Sequence, residues 1–250
     1  MAAMAKITFL IIILINVFPV LGQNISQNKE NIYSAYVTGD LQLWIEIIND
    51  LEESWNNTMD FERLEELVMA QYGYIAFCLK EDEKEEGRSV LISANNNLQI
   101  LMSYYPERAD LIALKAAFTG FEMGFNPLKA IFLASRAKEL TGNAYNMDKD
   151  NIICISVKAN QLNFTPPIFG GSTEESIPYY NMIISKYNSG EENKYMEWRY
   201  INTLVILAQS YEKLELYNKA CSTYEIIIAE DPEISWIKNK LYPDCLRHLR

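Results

Sequence analysis

Apolar side chains recur at intervals of three and four residues along nearly all of this chain, with short polar breaks between the runs. In LQLWIEIINDLEESW, Leu41, Trp44, Ile45, Ile48, Leu51 and Trp55 form one stripe of a helix. A chain built of such segments can bury its stripes only by packing helix on helix. Ten glycines and eight prolines are too few for a fold of many short strands and tight turns. The fold class is therefore all-α.

The breaks divide the chain into about eleven helices, expected near 28–37, 41–55, 60–80, 89–105, 106–125, 127–140, 148–163, 173–188, 194–214, 217–230 and 233–249. Gly39 in the break TGD is a candidate C-cap, and Asp60 a candidate N-cap. Pro106 and Pro127 fall where helices are expected to start, and Gly142 where one is expected to close.

Residues 201–232, INTLVILAQSYEKLELYNKACSTYEIIIAEDP, read as two short helices packed closely. Leu204, Leu207, Ala208 and Tyr211 line the first. Tyr217 stands at the turn, Ala220, Tyr224 and Ile227 line the second, and Pro232 ends the unit. This unit resembles a tetratricopeptide repeat: Ala208, Ala220, Tyr211, Tyr224 and Pro232 fall on the family pattern, while Leu204 and Ile227 depart from it. A degenerate copy covers 157–190, with Ser176, Tyr180 and Ile183 in the second helix. Together with YVTGDLQLWIEIINDLE, AQYGYIAF and PPIFGGS, the chain is distantly similar to the repeat-containing T component of tripartite periplasmic transporters. The resemblance implies a right-handed superhelix of about five hairpins, with a C-terminal capping helix, a concave face and no established catalysis.

Inside the degenerate copy, between its two helices, lies TPPIFGGSTEES, a run with two prolines and two glycines. A phosphate loop needs Lys and then Ser/Thr directly after its last glycine, and here Ser172 follows Gly171 with no lysine. Pro166 and Pro167 stop the preceding helix, Gly170 and Gly171 are read as positive-φ positions, and Ser172 with Glu175 forms a capping box. The run is read as a joint between helices. The second reading is a ligand-facing loop over 165–172, with Pro167, Phe169, Gly170 and Gly171 beside a pocket.

Residues 1–22 carry Lys6, an apolar run from Ile7 to Leu21 and a small Gly22, the layout of a cleaved secretory signal. The run is about 15 residues, short of a bilayer span. An exported protein, periplasmic or secreted, is expected, with 23–250 as its helical-repeat domain. The net charge of −11 becomes one unit more negative without Lys6, which disfavours nucleic acid and anionic membrane surfaces. The four cysteines, Cys78, Cys154, Cys221 and Cys245, show no disulfide framework. A bridge between Cys221 and Cys245 stays open because their segments are neighbours, but buried thiols are the commoner state.

Catalytic chemistry is hard to assemble from these residues. The single histidine, His248, is nearly terminal, no nucleophile elbow occurs, and no metal or cofactor is expected. The leading expectation is a non-enzymatic scaffold that holds a protein or peptide in its concave groove. By the resemblance, Asn202, Val205, Gln209 and Glu212 would point into that groove. Alternatives are a small-molecule-binding accessory protein of a transport system, with its pocket at the 165–172 loop, and, more remotely, a glycan hydrolase.

Overall fold

The computed structural model describes residues 20–81 and 83–249, with side chains from Gln27 onward except Glu81. Most of the expected signal segment lies outside the described residues, as do Asp82 and Arg250. Among the described residues eleven α-helices follow one another: α1 Val20–Thr38, α2 Leu41–Thr58, α3 Phe61–Glu81, α4 Lys84–Tyr104, α5 Ala109–Phe125, α6 Ala130–Met147, α7 Ile152–Phe164, α8 Thr173–Ser189, α9 Trp198–Lys213, α10 Tyr217–Glu230 and α11 Tyr242–Arg247. There is no strand among the described residues. Helix α1 runs unbroken through the expected cleavage point after Gly22.

Local chemistry explains most boundaries. Asp40 accepts from the backbone of Leu43 to start α2, and Asp60 accepts from Glu62 to start α3. Gly39 ends α1 in the left-handed region, φ 73°. Asn151 caps α7 through the amides of Ile153 and Cys154.

Several boundaries differ from expectation: α4 already begins at Lys84, inside the charged run expected as a turn, while α7 and α9 begin later, at Ile152 and Trp198. Pro106 lies in a turn, and α5 begins only at Ala109. Helix α6 continues through Gly142 to Met147 because Thr141 and Ala144 bury its next turn, an interaction that outweighs the roughly 1 kcal/mol cost of a helical glycine. The expected helix at 233–249 runs over 235–247 and carries a five-residue π turn, Ile237–Leu241, ahead of α11. Pro243 lacks the N–H that would continue the ladder, and its ring crowds the carbonyl one turn back, so the turn before it widens.

Successive helices pack as antiparallel neighbours, most extensively α5 against α6, α7 against α8, α3 against α4 and α9 against α10. Among the odd-numbered helices α3 touches α5 and α5 touches α7, which makes them one layer. The small residues Ser176, Ala208 and Ala220 are fully buried at these contacts, and Tyr180, Tyr224, Ile183 and Ile227 fill in around them.

Helix α1 closes the odd-numbered layer by packing on α9. The Tyr33 hydroxyl donates to Asp231 at 2.8 Å, and Tyr36 donates to the Asn202 side-chain oxygen at 3.3 Å. Around this closure stands an aromatic cluster. Trp198 packs edge-on to Trp44 with centroids 5.5 Å apart, and also meets Tyr36 and Tyr72.

Two of the four cysteines, Cys221 and Cys245, are bonded, with Cα atoms 5.7 Å apart. This corrects the expectation of buried thiols there, since α10 and α11 lie side by side. Cys78 and Cys154 remain free and buried, and burial pushes their thiols up, to about 11 and about 12. His248 stacks on Tyr217, centroids 4.4 Å apart, and the Tyr242 hydroxyl donates to Glu225 at 2.7 Å, so the C-terminal segment is tied to α10 by more than the disulfide.

Candidate functional site

A narrow cleft opens between helices α7 and α9. Ile153, Ser156 and Asn160 of α7 face Arg199, Asn202, Thr203 and Ile206 of α9, with Tyr72 of α3, Tyr180 and Trp198 forming the floor. The enclosed space is about 30 Å³, room for water and nothing larger.

The polar groups of the cleft are already organised. Tyr180 donates to the Asn160 side-chain oxygen at 2.9 Å, and the Asn160 amide donates to the Tyr72 hydroxyl at 3.3 Å. Burial raises the pKa of both tyrosines, so each stays a neutral phenol at any physiological pH. Arg199 makes a two-pronged pair with Glu197, Nε and Nη2 each 2.8 Å from a carboxylate oxygen. The guanidinium is thereby fixed beside the cleft.

The Glu197 carboxyl feels opposing forces. Burial pushes it up, and the hydrogen bonds and charge of Arg199, with Lys29 3.9 Å away, pull it to a net position below the ordinary carboxylate range. A depressed folded value means stabilisation that is present above the ordinary carboxylate pKa and is lost as pH falls through the folded one. Glu197→Gln is therefore expected to cost about 1 kcal/mol at pH 7, discounted because the Arg199 side chain keeps part of its solvent. The gap between variant and wild type closes in acid. Thermal melts at pH 7 and pH 3 check this, and an equal gap at both would refute it.

The four residues expected in the groove are not a continuous exposed face. Asn202 lines the cleft but is engaged by Tyr36. Val205 is 3% exposed and belongs to the core, so it points inward rather than to a groove. Gln209 is half-buried further along α9. Glu212 accepts from the Tyr224 hydroxyl at 3.2 Å, and burial holds its carboxyl above the usual range. Sequence reasoning missed Tyr72, Ser156, Asn160 and Arg199. A signal existed for two of them: aligning Ala159 with Ala208 places Ser156 and Asn160 where Val205 and Gln209 stand.

The 165–172 loop is built differently from expectation. Pro167–Phe169 form a short 3-10 turn, Gly170 has φ 88°, and Ser172 caps α8 through the Glu175 amide at 3.1 Å. Gly171 does not have a positive φ. It is needed because a Cβ there would overlap the Thr165 carbonyl oxygen. Phe169 is exposed, and neither Pro167, Phe169, Gly170 nor Gly171 lines the cleft.

A second concavity, about 280 Å³, opens elsewhere, between α2, α3 and α4. Leu41, Ile45 and Val90 give it apolar walls, and Gln42, Ser89 and the Tyr74–Glu86 hydrogen bond, 3.1 Å, give it polar points. Neither concavity brings two carboxylates together. Among the described residues no three His, Cys, Asp or Glu side chains gather as metal ligands, and no helix is long and apolar enough to cross a membrane. Comparison with known proteins gives no match: no family model, no curated protein and no solved structure is similar to the chain.

Proposed function

We propose that this chain is an exported, non-enzymatic scaffold, a right-handed tetratricopeptide-like superhelix of about five hairpins with a C-terminal cap. Its partner is a protein or peptide segment laid along α7 and α9. The observation that carries this reading is the group of hydrogen-bonding side chains set in the cleft. Ser156, Asn160 and Asn202 each both donate and accept, the chemistry that an extended peptide backbone needs, and Arg199 is held ready by Glu197. Beyond the cleft, Gln209 and Glu212 continue the same helix toward its C-terminal end. An extended segment would meet them after Asn202.

The test is capture of a partner from the exported fraction of the native cell by wild type and by Ser156→Phe. The phenyl ring is too large for the cleft and covers its opening, and the change removes no hydrogen bond described for the lining. A loss of at least about tenfold in capture, with the melting midpoint held, is the expected result. Undiminished capture by the blocked variant would place the partner elsewhere.

The second reading, a small-molecule accessory protein for transport, is supported by the concavity of about 280 Å³ rather than by the loop at Phe169. It predicts that Val90→Trp abolishes ligand binding and leaves partner capture intact.

A further inference from the structure

The concavity of about 280 Å³ between α2, α3 and α4 has a one-sided chemistry. Its open polar atoms are acceptors. Glu86 takes the Tyr74 proton on Oε2 at 3.1 Å, and its Oε1 has no partner among the described residues. Burial raises the Tyr74 pKa, with Cys78 and Glu86 adding to it, so the phenol keeps its proton and that bond. Gln42 donates from Nε2 to Glu46 at 2.8 Å, and no described group donates to its Oε1. The Ser89 hydroxyl is engaged by no described residue.

Charge points the same way. Glu86 is the one charged side chain of the lining, which holds no lysine or arginine. Within three residues of the lining in sequence, Asp40, Glu46, Glu83, Glu85 and Glu86 stand against Lys84 and Arg88. Arg88 is spent elsewhere: its guanidinium donates to Glu85 at 3.1 Å and to the Phe125 carbonyl at 2.6 Å. Helices α2 and α4 both begin here, and helix amino ends favour anions. Those ends are already met. Asp40 accepts from the Leu43 amide at 2.9 Å, and Glu85 and Glu86 occupy the first turn of α4. An anion would meet filled helix ends and an unpaired carboxylate. Leu41, Ile45 and Val90 add apolar wall, where buried hydrocarbon contributes about 25 cal/mol per Å².

We infer that this concavity binds a small organic cation, an ammonium carried on an apolar frame. Glu86 takes the charge, Gln42 and Ser89 offer further acceptors, and the frame packs on Leu41, Ile45 and Val90. Such a ligand presupposes the second reading, that the concavity is a ligand site, and needs nothing from the cleft between α7 and α9.

Ligand-observed NMR titration at neutral pH tests it with three probes of one shape: 2-phenylethylammonium, 2-phenylethanol and 3-phenylpropanoate. The amine is expected to bind saturably and at least about fivefold more tightly than the alcohol, and the carboxylate not at all. Glu86→Gln keeps an acceptor for Tyr74 and removes the charge, so it should bring the amine down to the affinity of the alcohol. Val90→Trp should abolish binding of both, and a thermal melt confirms that each variant is folded. Equal affinity for amine and alcohol, lost for both in Val90→Trp, would overturn the cation and keep the concavity as a ligand site. No Val90-dependent binding by any probe would overturn the cation and the second reading together. Undiminished amine binding by Glu86→Gln, or tighter binding of the carboxylate, would also overturn the assignment.

Discussion

Replacing Gly73 by alanine is expected to lower stability by about 2 kcal/mol, seen as a drop in the thermal midpoint. Helix propensity alone predicts the opposite, because alanine in a helix interior is favoured over glycine by about 1 kcal/mol. Gly73 is buried in α3, where a Cβ would sit 2.8 Å from the Trp198 ring and 2.5 Å from Trp44. Neither indole can retreat cheaply. Trp44 is almost completely buried and its ring N–H donates to the Ala70 carbonyl at 3.1 Å, while Trp198 is wedged among Trp44, Tyr36 and Tyr72. Overpacking a rigid aromatic cluster costs more than the backbone gains. Gly142→Ala is the control: its Cβ meets nothing within 4 Å, so that variant should gain up to about 1 kcal/mol. If Gly73→Ala melts higher than wild type, the aromatic closure is not packed as described.

Loss of the Cys221–Cys245 bond is the second large effect, about 3 kcal/mol. The bond closes a loop of sequence separation 24, and a cross-link of that span removes conformational freedom from the unfolded chain. The native side adds to this. Ile234 and Ile237, both fully buried, lie inside the closed loop, and Trp236 packs edge-on to Tyr36, centroids 6.1 Å apart. The bond therefore holds the C-terminal segment against the same closure that Gly73 permits. Melts with and without reductant, repeated on Cys221→Ser/Cys245→Ser, measure the effect. Reductant should shift wild type and leave the double variant unmoved. Under denaturing, non-reducing conditions only Cys78 and Cys154 should alkylate. Reaction of all four thiols would refute the bond.

Much of this fold was legible locally. The capping carboxylates Asp40 and Asp60, the left-handed Gly39, the Ser172 cap and the close-packing residues Ser176, Ala208 and Ala220 all act within a turn or between neighbouring helices. Where local signals misled, a competing contact explains it. Gly142 did not stop α6 because the next turn is buried. Gly171 was required by a nearby carbonyl oxygen and not by its φ.

The candidate site was far less legible. Val205 and Asn202 looked alike as positions on the first helix of a repeat, yet one is core and the other lines a polar cleft. What separates them is α1, which reaches Asn202 through Tyr36 across 166 residues of sequence. By itself the sequence determined that the chain is helical, and roughly where most of its helices lie, because these follow from spacings within a few residues. Only the tertiary structure decided what each stripe is buried against. It set α1 on α9, gathered Trp44, Trp198 and Tyr36 around Gly73, and left the face at Ile131 and Phe132 bare. Periodicity records that a face avoids water, while its partner depends on contacts between residues far apart in the chain, which no local pattern encodes.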